Sequence, residues 1–196
     1  TEFYKESFAL VSDPLTGNIK AIAGIRLITN GKDYSFQDVS INVIKNAYTV
    51  GSAVKGASMS VGYKEGIIDI GTQITDSCVK LANMPAKCSY RRLGTLNDVE
   101  ALALSSNYYQ FIIALGIMGY NYTYNMKATA TEEHFNIYRN TFAEFGLGAK
   151  TEIDLPDEST GLKGSTIAPD LLMNLAIGQY DLYTPVELLQ YINCHG

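Results

Sequence analysis

Gly51-Ser-Ala-Val-Lys-Gly56 places a serine hydroxyl and a lysine amine three residues apart, at a point where a helix is predicted to begin. On a helix, residues i and i+3 lie on one face with their Cβ atoms about 5–6 Å apart, so Lys55 can reach back toward Ser52. A serine hydroxyl is a weak nucleophile until a neighbouring base activates it. A lysine amine serves as that base when burial or a nearby cation lowers its pKa from about 10.4.

The Ser-x-x-Lys spacing is weak evidence alone, because Ser77-Cys-Val-Lys80 repeats it. The surroundings separate the two copies. Ser52 follows a loop that ends in glycine and precedes an apolar segment over residues 53–61, whereas Ser77 lies in a polar run with no clear helix after it. We therefore predict that Ser52 and Lys55 are catalytic, as in acyl-serine transferases. The alternative is a helix-capping serine beside a solvated lysine.

The composition is that of one globular domain. The chain has 196 residues, of which 46% are hydrophobic and 18% charged, and its net charge is -5. It is long enough to bury a substantial core, and the absence of a basic stripe argues against nucleic acid as a partner. No apolar run approaches ~18 residues, so no membrane span is expected. The chain begins in mid-sequence without a signal peptide, so we expect residues 1–196 to be a single domain excised from a longer protein.

The cysteines and histidines indicate no metal site. Cys78, Cys88 and Cys194 lack paired C-x-x-C spacing, which argues against zinc. His134 and His195 have no acidic or cysteine companions at ligand spacing, so we expect no metal and no cofactor. Cys78 and Cys88 bracket a loop, and they either form a disulfide in an oxidising compartment or remain two free thiols.

The pattern of turns and apolar runs predicts strands first and helices later. Asp13-Pro-Leu-Thr-Gly17 is predicted to be the turn between two antiparallel strands, and Asn30-Gly31 is a second turn signal. Residues 32–48 are mixed, with a helical turn at 42–45. A helix is predicted over 52–65, and residues 67–95 are predicted to be loop-rich.

A polar triplet, Ser105-Ser106-Asn107, separates two predicted helices. The first is capped by Asn97-Asp98 and runs through Leu104, and the second runs from Tyr108 to Met118. Serine and asparagine compete for backbone hydrogen bonds and favour a bend. The triplet is therefore either a helix–helix corner or a pair of side chains aimed into a cleft. Later helices are predicted to start near residues 131, 169 and 184, and Thr184 is predicted to cap the last one, with Pro185 at its first position. The aromatic residues at 135, 138, 142 and 145 are predicted to be core.

Six blocks of the sequence occur in an order that is typical of one protein family. They are Val11-Ser-Asp-Pro-Leu-Thr-Gly-Asn-Ile-Lys-Ala-Ile-Ala-Gly24, Tyr48-Thr-Val-Gly-Ser-Ala-Val-Lys55, Leu104-Ser-Ser-Asn-Tyr108, Phe145-Gly-Leu-Gly-Ala-Lys-Thr-Glu-Ile-Asp-Leu-Pro-Asp-Glu158, Ala176-Ile-Gly-Gln179 and Leu182-Tyr-Thr-Pro185. In this order they resemble the transpeptidase domain of penicillin-binding proteins, and they are most similar to its monofunctional class B branch. The resemblance implies an α/β (α+β) fold like that of serine β-lactamases and DD-transpeptidases, with an antiparallel sheet packed with helices.

The resemblance also implies a role for each site residue. Ser52 would attack the carbonyl of a D-Ala-D-Ala stem peptide or of a β-lactam to give an acyl-enzyme. Lys55 would take its proton as the general base, although the identity of the acylation base is disputed in the wider superfamily. Ser105 would relay a proton to the leaving amine, and Asn107 would hold the substrate amide and help to position Lys55. Attack by the amine of a second stem peptide would complete a peptidoglycan cross-link.

The chain departs from the family pattern in its third motif, Lys-Thr/Ser-Gly. Lys150-Thr151 is followed by Glu152, and Lys163-Gly-Ser165 has the wrong order. The family carries that motif on a strand after the last helix, so we expect a domain truncated at its C-terminus, with an incomplete sheet and without one oxyanion donor, a loss typically costing ~10²–10³ in rate. Tyr180 is a smaller departure, because the family usually has glycine there.

The resemblance implies a bacterial parent protein on the extracytoplasmic face of the cell membrane, held by an anchor outside this chain. Its expected partners are peptidoglycan stem peptides, β-lactam antibiotics and cell-wall synthesis proteins. Two alternatives stay open at this point. One is a serine β-lactamase, which needs a group that activates water for deacylation. The other is a non-catalytic sensor or assembly module with the same fold.

Overall fold

The structure, a computed structural model, describes residues 5–194, so His195 lies outside the described residues. These residues form two contact units: residues 5–48, 145–162 and 182–194 make the first, and residues 49–144 and 163–181 make the second. The expectation of a single domain over residues 1–196 stays a prediction. In chain order the elements are β1 (Glu6–Ser12), β2 (Ile19–Asn30), β3 (Asp33–Asp38), α1 (Asn42–Lys45), α2 (Lys55–Lys64), β4 (Ile74–Thr75), β5 (Cys78–Val79), β6 (Lys87–Cys88), β7 (Thr95–Leu96), α3 (Asp98–Ala103), α4 (Asn107–Ile117), α5 (Glu132–Glu144), α6 (Pro169–Ala176) and α7 (Pro185–Asn193).

The first unit is built on an antiparallel sheet in the order β1-β2-β3. The predicted turn joins β1 to β2, and the Gly17 N–H closes it by donating to the Asp13 carbonyl at 2.8 Å. In this register Phe8 lies opposite Gly24. A Cβ at Gly24 would lie 2.8 Å from the Phe8 ring, so glycine is what lets the ring lie across the strand. Strand β3 was not predicted, because residues 32–48 were interpreted as mixed. Tyr34 and Phe36 do alternate with polar residues there, although the whole strand is exposed.

Two helices pack in the first unit. Helix α7 contacts β1, and α1 contacts both α7 and β2. The apolar side chains of Val43, Ile44 and Val186 form the centre of this core. Thr184 caps α7 as predicted, with a capping box in which Glu187 bonds back to the Thr184 N–H, and a proline occupies the first turn.

The second unit is helical. Helix α2 packs against α3, α4 and α5, while α6 packs against α4 and α5. Helix α2 packs closely at Gly62, where an added Cβ would lie 3.0 Å from Ile113 and Ile68. The predicted aromatic stripe is confirmed for Phe135, Tyr138 and Phe142, which are fully buried. Phe145 follows the end of α5 and belongs to the first unit, where its ring packs on Tyr191.

The predicted loop-rich segment after α2 carries two very short antiparallel ladders, β4 with β7 and β5 with β6. The predicted mixed α/β architecture with an antiparallel sheet packed against helices is thus confirmed. Among the described residues, no helix has the length and apolar character needed to cross a bilayer.

Candidate active site

Ser52 lies in a 3-10 turn, Gly51–Val54, which leads directly into α2. The predicted helix start is therefore corrected by three residues: the α-helix begins at Lys55. The residues at the N-caps of the turn and of α2 are Val50 and Val54, so Ser52 is not the capping serine of the alternative interpretation. Its side chain is exposed to solvent, as a nucleophile that meets an external substrate must be.

A close backbone contact holds the turn in place. The Gly51 N–H donates to the Gly178 carbonyl at 2.9 Å. Gly178 has φ +72°, and a Cβ there would lie only 2.1 Å from the Gly51 carbonyl oxygen. Both the left-handed conformation and the close approach require glycine at this position. The position of Ser52 in the second unit therefore depends on a residue that is distant in sequence.

Lys55 is buried, and the interpretation of this lysine as solvated is wrong. Only 1% of the surface of Lys55 is exposed to solvent. The Nζ atom donates to the Ser105 carbonyl at 2.7 Å, to the Ser105 hydroxyl at 3.0 Å and to Asn107 Oδ1 at 2.6 Å. An ammonium group has three donors, so these three acceptors satisfy it fully. The structure thus brings together Lys55, Ser105 and Asn107, three of the four predicted site residues.

Burial lowers the pKa of Lys55 from 10.5 to about 8, against the opposing attraction of the Asp76 carboxylate. Desolvation disfavours the charged form of a lysine, which is why burial lowers its pKa. At pH 7 about a tenth of the molecules therefore carry the neutral amine, compared with a far smaller fraction for a solvated lysine. A neutral amine is the form that can accept a proton.

The Ser105-Ser106-Asn107 triplet has the first of its two predicted structures. It is a helix–helix corner between α3 and α4, in which Ser105 has the left-handed φ of 54°. Ser106 caps α4 by accepting the Tyr109 N–H at 3.1 Å. The corner also aims the Ser105 hydroxyl and the Asn107 amide at the Lys55 amine, and both residues stay partly exposed.

The loop-rich segment borders this corner. Cys78 and Cys88 lie opposite each other in the β5–β6 ladder and form a disulfide, which decides between the two alternatives left open by the sequence. The Cys88 carbonyl accepts the Asn107 side-chain amide at 3.4 Å. The remaining cysteine, Cys194, is free and exposed.

The site also has residues that sequence reasoning missed. Asp76 and Ser89 are buried beside Ser106, and they bond to one another and to the start of α4. A single aspartate and a single serine in polar loops give no pattern, so no signal in the sequence identifies them.

The other sequences that match or partly match a family motif make hydrogen bonds of their own. The Lys80 amine of the second Ser-x-x-Lys copy donates to the Met84 carbonyl within its own loop. Ser40-Ile-Asn42 has the same Ser-x-Asn spacing as Ser105-Ser-Asn107, and its Ser40 hydroxyl accepts the Gly24 N–H at 2.9 Å in the first unit. Thr151, after Lys150, bonds through both its N–H and its hydroxyl to Glu158. Among the described residues, the acceptors of the Lys55 amine are in Ser105 and Asn107 and not in the second Ser-x-x-Lys copy.

Tyr180 packs in a space that Gly164 leaves open. Its hydroxyl donates to the Thr166 carbonyl at 2.5 Å, and its ring packs on Phe135 with centroids 5.4 Å apart. A Cβ at Gly164 would lie 2.2 Å from the Tyr180 ring carbon Cζ. Gly164 therefore leaves the space that the Tyr180 ring occupies. Within residues 5–194, no group of three or more His, Cys, Asp or Glu side chains is placed to hold a metal ion.

Comparison with known proteins supplies the family. A model of the penicillin binding protein transpeptidase domain matches residues 7–193. Penicillin-binding protein 2A of Bacillus subtilis (strain 168) is 36% identical over 194 residues, which cover 98% of this chain and 27% of that protein. Penicillin-binding protein H of the same organism is 39% identical over 188 residues, covering 95% and 26%. The chain thus spans about a quarter of the length of these curated relatives.

A solved structure gives the same result for the fold. Penicillin-binding protein 2B from Streptococcus pneumoniae (strain 5204) superposes with a TM-score of 0.90 at 33% identity, covering 98% of this chain and 32% of that chain. The α/β architecture predicted from the motifs is that of this structure.

Proposed function

Because the chain belongs to the penicillin-binding protein transpeptidase domain family, with class B proteins as its relatives, we propose that it carries the acylation centre of a serine-type D-Ala-D-Ala transpeptidase of peptidoglycan cross-linking. The observation that carries the proposal is the buried Lys55 amine, held by Ser105 and Asn107 at 2.6–3.0 Å and with its pKa lowered to about 8. A base of this kind, close in sequence to an exposed serine, is what nucleophilic catalysis by serine requires.

In acylation, Ser52 Oγ attacks the carbonyl carbon of the terminal D-Ala-D-Ala bond, and its proton passes to the neutral Lys55 amine. The C–N bond then breaks, and the leaving D-Ala amine takes a proton through the Ser105 hydroxyl, which contacts Lys55 Nζ at 3.0 Å. The product is a Ser52 ester. Attack on a β-lactam follows the same steps, except that the leaving nitrogen stays attached through the opened ring.

In deacylation, the amine of a second stem peptide attacks the Ser52 ester, forms the cross-linking amide and returns a proton to Ser52. Asn107 is proposed to hold the substrate amide, because its carboxamide is partly exposed beside Lys55. Carboxypeptidase activity would be the same reaction with water in place of the second amine.

The proposal includes the surroundings of the parent protein. The substrate is peptidoglycan stem peptide, β-lactams are covalent inhibitors, and the domain works on the extracytoplasmic face of a bacterial cell membrane with cell-wall synthesis partners. The Cys78–Cys88 disulfide is consistent with that location, since disulfides persist in oxidising compartments.

The test is the intact mass of the 196-residue chain after incubation with benzylpenicillin, for the wild type and for the Ser52→Ala and Ser77→Ala variants. Ser77 is the matched control because it belongs to the second Ser-x-x-Lys copy. We expect a persistent adduct in the wild type and in Ser77→Ala, and none in Ser52→Ala. An adduct that survives in Ser52→Ala, or no adduct in the wild type, contradicts the proposal. Continuous hydrolysis of the antibiotic indicates a β-lactamase instead.

A further inference from the structure

The buried carboxylate of Asp76 has no role in the steps above, yet it lies at the centre of the polar network behind the site. Asp76 follows β4, Ser89 follows β6, and Ser106 caps α4. Ser89 Oγ donates to Asp76 Oδ2 at 2.7 Å, and Ser106 Oγ donates to the same oxygen at 2.8 Å. All three side chains are buried, so water does not compete for these bonds.

The carboxylate sets the direction of both hydroxyl groups. A serine hydroxyl has one proton to donate and two lone pairs that accept. With the protons directed to Asp76, the lone pairs face the start of α4. Ser89 Oγ accepts the Asn107 N–H at 3.0 Å and the Tyr108 N–H at 3.1 Å, and Ser106 Oγ accepts the Tyr109 N–H at 3.1 Å. The first three N–H groups of the helix are thereby fixed.

This network continues to the reacting groups. Asn107, whose backbone is held by Ser89, accepts Lys55 Nζ through its side chain, and Ser105 precedes Ser106 in the strained left-handed conformation. The Asp76 N–H donates to the Gly94 carbonyl at 2.8 Å, which holds the Asp76 backbone beside the residue that precedes β7. Without the carboxylate, the two hydroxyls that hold this corner lose the acceptor that they share.

We propose that Asp76 is a positioning residue for the acylation reaction: acting through the Ser89 and Ser106 hydroxyls, its carboxylate fixes the Ser105–Asn107 corner that holds the Lys55 amine. The inference rests on the proposed function for its kinetic consequence, but its geometry stands independently. Asp76 touches neither Ser52 nor Lys55 through a hydrogen bond among the described contacts, so it acts on the reaction through other residues.

The charge of Asp76 adds a second effect. Its negative charge favours the protonated form of Lys55 and partly offsets the effect of burial on the pKa of Lys55. The groups that contact the amine, Ser105 and Asn107, are neutral. Tyr108 on α4 also lies in the field of Asp76, but burial raises the pKa of Tyr108, so its hydroxyl stays neutral where Lys55 titrates. Asp76 is thus the charged group, among the described residues, whose field acts on Lys55.

The test compares Asp76→Asn and Asp76→Ala with Asp98→Asn in the 196-residue chain. Asp98 is the matched control because it is equally buried, at 5% exposure against 7% for Asp76, but it bonds to Tyr63 and to Gly71 instead of to the corner. The second-order rate of benzylpenicillin acylation is measured from pH 6 to about pH 10, a range chosen to bracket the Lys55 titration. Thermal unfolding is recorded for each variant.

We expect Asp76→Ala to lower the maximal acylation rate about 100-fold, the loss that a misplacement near 1 Å produces. Asp76→Asn retains an oxygen acceptor for both hydroxyls, so its loss should be smaller, but the midpoint of its pH–rate profile moves to lower pH because the charge is gone. Asp98→Asn should lose stability without moving that midpoint. Unchanged rates and an unchanged midpoint in both folded Asp76 variants would overturn the proposal.

An independent readout separates this inference from the proposed function. The Lys55 titration is followed by the 13Cε resonance of labelled lysine without any β-lactam, and hydrogen exchange is measured at the Asn107, Tyr108 and Tyr109 amides. We expect the Lys55 midpoint to fall in Asp76→Asn and the three amides to exchange faster in Asp76→Ala. If the wild type is not acylated, the proposed function fails while these two measurements still decide the role of Asp76. Unchanged resonances and exchange rates refute it.

Discussion

The contact between Gly178 and the turn that carries Ser52 gives the sharpest prediction. In Gly178→Ala the new methyl group would lie 2.1 Å from the Gly51 carbonyl oxygen, and 3.4 Å is the lower limit of ordinary van der Waals contact. The obstacle is backbone, so rotation of a side chain cannot relieve it. The turn must therefore move away from Gly178 by more than about 1 Å, and Ser52 moves with it.

The size of the effect follows from this geometry. An alanine held at φ +72° costs about 1–2 kcal/mol, and loss of the Gly51–Gly178 hydrogen bond adds about 1 kcal/mol. We expect the free energy of unfolding to fall by roughly 2–3 kcal/mol. A displacement of about 1 Å at a reacting group lowers rates about 100-fold, so acylation of Ser52 by benzylpenicillin should slow by that factor in the folded variant.

Gly66→Ala is the control in the same unit. Gly66 has a similar φ of +65°, but nothing lies within 4 Å of a Cβ built there. This variant bears the conformational cost without the displacement, so it should lose about 1–2 kcal/mol of stability and keep the wild-type acylation rate. Urea denaturation and the time course of adduct mass measure the two quantities. Acylation of Gly178→Ala within threefold of the wild type, in a folded sample, would refute the reasoning.

Three further predictions concern the same unit. The unfolded chain keeps the Lys55 proton up to about pH 10.5, while the folded chain releases it near pH 8, so the free energy of unfolding should rise with pH across that window. Lys55→Met should flatten this rise. An unchanged slope of unfolding free energy against pH in urea titrations of Lys55→Met would count against the lowered pKa. The Cys78–Cys88 disulfide can be opened with a dithiol in a chain whose free Cys194 is replaced by alanine. Reduction should lower the free energy of unfolding by about 3 kcal/mol in the chain-entropy model, and it should slow acylation because the Cys88 carbonyl contacts Asn107. Equal acylation rates before and after reduction would show that the loop does not support the corner. Gly164→Ala should destabilise the fold by about 1–3 kcal/mol through overlap with the Tyr180 ring, and Tyr180→Gly in the same chain should restore most of that loss if the overlap is the cause.

The features that the sequence predicted correctly depend on local signals. The turn at Asp13–Gly17 and the caps at Asn97 and Thr184 each depend on side chains within a few residues of one another. The start of α6 at Pro169 is equally local. Short-range chemistry of this kind is largely independent of the rest of the fold, which is why residue patterns alone reveal it.

The features that were missed depend on contacts between distant residues. Strand β3 is stabilised by pairing with β2, although its own residues are all exposed. The 3-10 turn at Ser52 depends on Gly178, more than a hundred residues later in the chain. Lys55 is buried because α3, α4 and α5 surround α2, and Asp76 meets Ser106 only after the chain has folded. Motif resemblance predicted four site residues, but their surroundings required the structure.

The occupied start of α4 has a consequence for ligands. Helix N-termini commonly bind anions, because their first N–H groups are free and the helix dipole favours negative charge. Here the first three N–H groups of α4 already donate to Ser89 and Ser106. A carboxylate on an inhibitor therefore gains no hydrogen bond from the first three N–H groups of α4. Its hydrogen-bond donor must lie on another element. Substituents that extend toward α4 should be neutral, so that affinity there comes from shape and from the Asn107 amide.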